Sequence, residues 1–179
     1  DRDGVINELV DRGEFMSGDG SKVLRYSAPW RLSEFKLLPR VKEALVLLGQ
    51  LGLLRILVTN QPDIAYGRLS LCGHGGIMEE VGALPLDDIY VCPHRSTDGC
   101  GCKKPRPGML LAASRKWRVN LARSFIIGDR DVDMETGRSV GCRTVLVRTA
   151  ENRGVAADFY ADGLYESAVL IQQFLKEGG

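Results

Sequence analysis

No apolar run in this 179-residue chain approaches the roughly 20 residues that would cross a bilayer. A membrane is therefore not an expected partner. No signal-peptide pattern is visible in the residues given. Neither sign of charge dominates: 24 Lys and Arg face 23 Asp and Glu, for a net charge of +1. No basic run is interleaved with aromatics, so the clustered positive charge that nucleic-acid backbones require is missing. Internal repeats, low-complexity tracts and linkers are also absent. Cysteines are few, at 5, but three of them crowd at positions 92, 100 and 102. That clustering points to a metal in a reducing compartment rather than a secreted disulfide framework, and makes the cytosol the expected location.

What is present suits one domain of ordinary size spanning residues 1–179, with 44% hydrophobic residues to build its core. Leu54–Val58, Ile89–Val91, Ser124–Ile127 and Thr144–Val147 read as buried strands. Helical patterns lie between and after them. One opens at Pro39, places Val41, Ala44, Leu45, Leu48 and Leu51 on one face, and closes at Gly52. Others run from Pro107 to about Trp117, from Asp131 to Val140 and from Leu164 to Lys176. Strands alternating with helices predict an α/β fold with a mainly parallel sheet covered on both faces. Two segments break the alternation. Residues 7–32 carry scattered glycines and predict a long loop or small hairpin, and residues 92–107 are rich in Gly, Pro and Cys. Long irregular segments in compact domains are commonly functional.

Asp1-Arg2-Asp3-Gly4 sets two carboxylates one residue apart on a turn closed by glycine. Such a pair can divide phosphoryl transfer, one group attacking phosphorus and the other moving protons. In open parallel sheets, ligands bind outside the carboxyl ends of the strands. The polar residues following the expected strands are Thr59-Asn60-Gln61 and Gly128-Asp129-Arg130-Asp131-Val132-Asp133, with Lys103-Lys104-Pro105 preceding a helix. Alone, a Thr-Asn pair after a strand is commonly a cap or turn, and an Asp-rich turn is commonly solvated. Their occurrence together, each at a strand end, points to one shared mouth.

In that order the motifs resemble the haloacid dehalogenase (HAD) superfamily: Asp1-x-Asp3-Gly4, Thr59-Asn60, Lys104-Pro105 and Gly128-Asp129-x-x-x-Asp133. The resemblance covers nearly the whole chain. Cys92-Pro93-His94, Cys100-Gly101-Cys102 and the following Lys-Lys-Pro-Arg-Pro-Gly-Met-Leu narrow it to the subgroup that holds heptose bisphosphate phosphatases and histidinol-phosphate phosphatases. It implies a Rossmann-like three-layer sandwich with a minimal cap. It also implies a central strand directly before Asp1, which the residues given do not include. The implied activity is Mg²⁺-dependent hydrolysis of a phosphomonoester through an aspartyl-phosphate, with a heptose 1,7-bisphosphate as leading substrate and histidinol phosphate as alternative. A monomer is expected.

Roles follow from the resemblance. Asp1 is the nucleophile and Asp3 the general acid and base. Thr59 and Lys104 stabilise the phosphoryl group, and Asn60, Gln61, Lys103 and Arg130 contact substrate. Mg²⁺ would be held by the Asp1 and Asp129 carboxylates and the Asp3 carbonyl, with Asp133 orienting Lys104 or a metal-bound water. Cys92, His94, Cys100 and Cys102 read as a closed zinc site that stiffens the loop and places Lys103 and Lys104; free thiols are the alternative. Lys103 stands where the heptose enzymes carry arginine, Arg130 where they often carry lysine, and Pro62 removes a backbone donor after the Thr-Asn-Gln loop. Arg12, Lys22, Arg25 and Tyr26 could meet the far end of a substrate, although plain exposure accounts for each. Cys72 and Cys142 are expected to be ordinary buried thiols, and His74 a surface or capping residue. A zinc-stabilised binding protein without activity is the alternative of another class, motivated by the strand missing before Asp1.

Overall fold

The computed structural model describes residues 1–178. Strands β3 (Ile56–Asn60) and β4 (Asp88–Cys92) pair in parallel, Ile56 opposite Asp88 and Asn60 opposite Cys92. A second parallel set joins β5 (Phe125–Gly128), β6 (Arg143–Val147) and β7 (Phe159–Ala161) in that order. Among the described residues, β3 and β5 each keep one edge without a strand partner. A cavity of about 490 Å³ is lined by Ile56 and Val58 of β3, Phe125 and Ile127 of β5, and apolar side chains of the flanking helices. At its end the Asp1 backbone nitrogen donates to the Ile127 carbonyl at 2.8 Å.

Helices cover both faces, as the alternation of strand residues requires. Leu57 joins the larger core with α1 (Val41–Gln50), α2 (Leu71–Gly82) and α5 (Leu164–Lys176), which contribute Ala44, Leu45, Ile77, Val81, Ala168 and Ile171. Its neighbour Val58 faces the other way, against Met109 of α3 (Gly108–Trp117). α4 (Asp131–Ser139) packs on β5 and β6 on that same side. α1 begins at Val41 rather than at Pro39, because Arg40 sits in the left-handed region at φ 59°.

Residues 10–27 form the hairpin. β1 (Val10–Met16) pairs antiparallel with β2 (Val23–Ser27), Val10 opposite Ser27 and Met16 opposite Val23. Its inner face is fastened by aromatics and ions. Phe15 meets Trp30 edge-on at 5.7 Å between ring centres, and the Arg12 guanidinium lies 3.9 Å over Trp30. Arg12 also pairs with Glu34 at 2.6 Å, which holds that carboxyl down at about 2.

Sequence periodicity did not foresee α2 or β7. α2 carries Gly73, Gly75, Gly76 and Gly82, each a poor helix former. It forms because Ser70 caps it, its Oγ accepting from the Gly73 N–H at 3.0 Å, and because Ile77 and Val81 fall one turn apart on the core side. Cys72 lies on this helix and is exposed, correcting the expectation of a buried thiol, whereas Cys142 is buried. No helix of the described residues is long and apolar enough to cross a membrane.

Candidate active site

The strand ends bring the motifs to one mouth. Lys104 is the hub. Its ammonium lies 2.8 Å from Asp1 Oδ1 and 2.5 Å from Asp133 Oδ1, and donates to the Val58 carbonyl at 3.2 Å. Asn60, at the tip of β3, fixes the Lys104 backbone from both sides: its Nδ2 donates to the Lys104 carbonyl at 3.1 Å and its Oδ1 accepts the Lys104 N–H at 3.0 Å. An amide used twice in this way is committed to holding the loop, so Asn60 acts on the mouth through Lys104.

Carboxylate oxygens of Asp1, Asp129 and Asp133 all lie within 4.8 Å of one another. Burial, and then the charge of Asp133, push the Asp129 carboxyl up to about 7. Asp129 Oδ1 is buried and has no hydrogen-bond partner among the described residues. A hard cation satisfies both conditions, since it supplies positive charge and takes an oxygen lone pair. The backbone is shaped to allow this. Gly4 has φ +81°, and a Cβ there would collide with Asp129 Oδ2; a Cβ at Gly128 would collide with Asp133. Asn152 steadies the same turn, its Nδ2 donating to the Asp129 and Val147 carbonyls at 2.8 and 2.7 Å.

Asp3 stands in a separate network. Its carboxylate receives Arg2, Asn7 Nδ2 at 3.0 Å and Gln61 Nε2 at 2.7 Å, and Gln61 Nε2 also donates to Thr59 Oγ1 at 2.9 Å. Thr59 is fully buried at the end of β3. Lys103 donates to the His94 carbonyl at 3.4 Å, and Arg130 is exposed at the start of α4. Arg12 is spoken for by Glu34, which follows the hairpin, and Arg25 by Asp11 within it. His74 is half-buried on α2, and burial followed by the nearby Arg2 charge lowers its pKa. Sequence reading passed over Arg2, Asn7 and Asn152. An arginine between the two motif carboxylates was the available signal for the first; the other two sit where no periodicity points.

The cysteine loop closes on itself. Cys102 Sγ lies 3.2 Å from both Cys92 Sγ and His94 Nδ1, Cys92 lies 3.5 Å from His94 Nδ1, and Cys92 and Cys100 are 3.7 Å apart. Three sulfurs and one imidazole nitrogen are thus close enough to share one ion. Burial, with the Cys102 thiol beside it, pushes the Cys92 thiol up to about 12. A cation in the cluster would favour the thiolate.

Parallel strands, helices on both faces and an Asp-rich mouth at the strand ends define a HAD-like hydrolase scaffold. The HAD-hydrolase-like family model matches residues 101–167. Over 182 residues the chain is 30% identical to the D-glycero-beta-D-manno-heptose-1,7-bisphosphate 7-phosphatase of Haemophilus influenzae, covering 93% of this chain and 98% of that protein. It is 35% identical to the enzyme of the same name from Pseudomonas aeruginosa, covering 84% of this chain and 80% of the relative. A crystal structure of D,D-heptose 1,7-bisphosphate phosphatase from B. bronchiseptica, complexed with magnesium and phosphate, superposes with a TM-score of 0.79 at 27% identity, covering 97% of this chain and 96% of that one. The chain belongs to the HAD-like hydrolases, in the family of these heptose bisphosphate phosphatases.

Proposed function

We propose that this chain is a Mg²⁺-dependent phosphomonoesterase acting on a small phosphorylated sugar, with a heptose 1,7-bisphosphate as its leading substrate. The observation that carries the reading is Lys104, shared at 2.8 and 2.5 Å between Asp1 and Asp133, beside a buried Asp129 oxygen that has no partner among the described residues. The names of the relatives support the sugar and favour release of the 7-phosphate.

Asp1, Asp129 and the Asp3 carbonyl would hold Mg²⁺, with Asp133 fixing Lys104. Bound there, Mg²⁺ supplies charge that offsets the repulsion between a carboxylate nucleophile and a phosphate anion. Asp1 attacks phosphorus, and a new Asp1–phosphorus bond forms as the ester bond breaks. The electron pair of the broken bond stays on the sugar oxygen, which takes a proton from Asp3. Water then attacks phosphorus and gives its proton to Asp3. The bond to Asp1 breaks with its electron pair returning to the carboxylate, and inorganic phosphate leaves. Thr59 and Lys104 present donors to the equatorial oxygens as negative charge spreads over them. In this reading Gln61, Lys103 and Arg130 serve as the substrate contacts. Zn²⁺ in the Cys92, His94, Cys100 and Cys102 cluster would stiffen the loop that ends at Lys104. One domain, acting as a monomer, completes the reading, with the 10–27 hairpin as its minimal cap.

Phosphate release should be measured with and without Mg²⁺ on heptose bisphosphate, histidinol phosphate and simple sugar phosphates. The reading expects a preference for the heptose and loss of turnover by more than about 10³-fold in Asp1→Asn. Turnover that survives Asp1→Asn, or a preference for histidinol phosphate, would refute it.

A further inference from the structure

Arg2 separates the two motif carboxylates, and its side chain is wholly buried, at 0% exposure. A buried guanidinium is costly unless its partners are well placed. Here they are concentrated on one residue. Arg2 Nε and Nη2 donate to Asp3 Oδ1 at 3.1 and 2.8 Å, and Nη2 reaches Asp3 Oδ2 at 3.1 Å and Gln61 Oε1 at 2.9 Å. Nη1 has no partner among the described residues. Arg2 thus grips both Asp3 oxygens. Oδ1 also accepts from Asn7 Nδ2, and Oδ2 also accepts from Gln61 Nε2 at 2.7 Å, the same amide that donates to Thr59 Oγ1.

We propose that Arg2 is a positioning residue whose guanidinium fork fixes the plane of the Asp3 carboxylate, so that this group meets the leaving oxygen and the attacking water in one orientation. The inference rests on the phosphatase reading above and deepens it. When the ester bond breaks, its electron pair goes to the leaving oxygen, and the proton on the Asp3 carboxyl neutralises that oxygen. When water attacks phosphorus, the proton it loses returns to Asp3. A lysine at position 2 would keep the charge but lose the planar fork that fixes the plane of the carboxylate.

Leaving-group dependence separates positioning from a merely structural role. A sugar phosphate expels an alkoxide and needs the proton, whereas p-nitrophenyl phosphate expels a stable phenolate and does not. First-turnover rates with enzyme in excess should be measured on both substrates for the native protein, Asp3→Asn, Arg2→Lys and Asn7→Leu. Asp3→Asn and Arg2→Lys should each lose about 10²-fold or more on the sugar phosphate and less than about 10-fold on the aryl ester. Asn7→Leu should show a smaller loss with the same selectivity, and it carries the test should Arg2→Lys fail to fold by thermal melting. Equal losses on both substrates in Arg2→Lys, or in Asn7→Leu where that variant carries the test, would overturn the proposal. Equal losses in Asp3→Asn would instead remove the acid role of Asp3, a failure of the phosphatase reading itself.

Discussion

Lys104 and Asp133 form a buried ion pair, 2.5 Å from Nζ to Oδ1, with side chains 2% and 0% exposed. Neither charge has water to fall back on, and Asp1 shares the same ammonium at 2.8 Å. Removing one partner leaves the other charge buried and unpaired. Lys104→Met should therefore destabilise the fold by about 3–5 kcal/mol in chemical denaturation, and Lys104→Met/Asp133→Asn should recover a good part of that loss. Equal losses in the single and double variants would show that the pair is not what the site depends on.

The Asp129 carboxyl is raised to about 7, so in the metal-free fold it keeps its proton where the unfolded chain has lost it. Its contribution to the stability of the metal-free protein is full below the ordinary Asp range, and is lost as pH rises through that value. A cation must displace this proton. The gain in melting temperature from saturating Mg²⁺ should therefore grow between about pH 5 and about pH 8, and flatten in Asp129→Asn. A gain that is constant across that range would exclude Asp129 as a ligand.

Gly4 at φ +81° faces Asp129 with no room for a Cβ. Gly4→Ala should cost more than about 1 kcal/mol in stability and also abolish the Mg²⁺-dependent rise in melting temperature. Retention of that rise would mean the turn can shift without disturbing the carboxylates.

Metal in the cysteine cluster should be visible in proton release. Because the Cys92 thiol is pushed up to about 12, metal-free protein holds its proton at neutral pH, and zinc uptake must expel it. Calorimetric titration of zinc into stripped protein, in buffers of different ionisation heat, should report that release. Cys102→Ser should lose both the release and the bound zinc. Zinc uptake with no buffer dependence would contradict a thiolate site.

Much of this architecture was readable from residue order. The four expected strands and four expected helices rest on apolar spacing and each has a counterpart; α1 buries Val41, Ala44, Leu45 and Leu48 as its pattern marked, whereas Leu54 lies exposed before β3 and Leu111 is exposed on α3. α2 was not readable, since its glycines argue against a helix and the Ser70 cap together with the burial of Ile77 and Val81 overrides them. Motif order marked which side chains share the mouth, but not how they divide. That Asn60 is occupied with the Lys104 backbone, and that Arg2 turns inward onto Asp3, depends on contacts between segments more than 40 residues apart or on rotamers no spacing encodes.

The two hydrogen bonds between Asn60 and the Lys104 backbone make Lys104 a fixed point of the β3 tip as well as of the loop that leads to it. On the other side, Cys92 ends β4, in register with Asn60. The intervening residues thus leave and rejoin the scaffold at two anchored posts. Insertions or deletions between His94 and Cys100 should accumulate across related chains without moving the lysine, leaving that stretch open to change in length while the mouth keeps its shape.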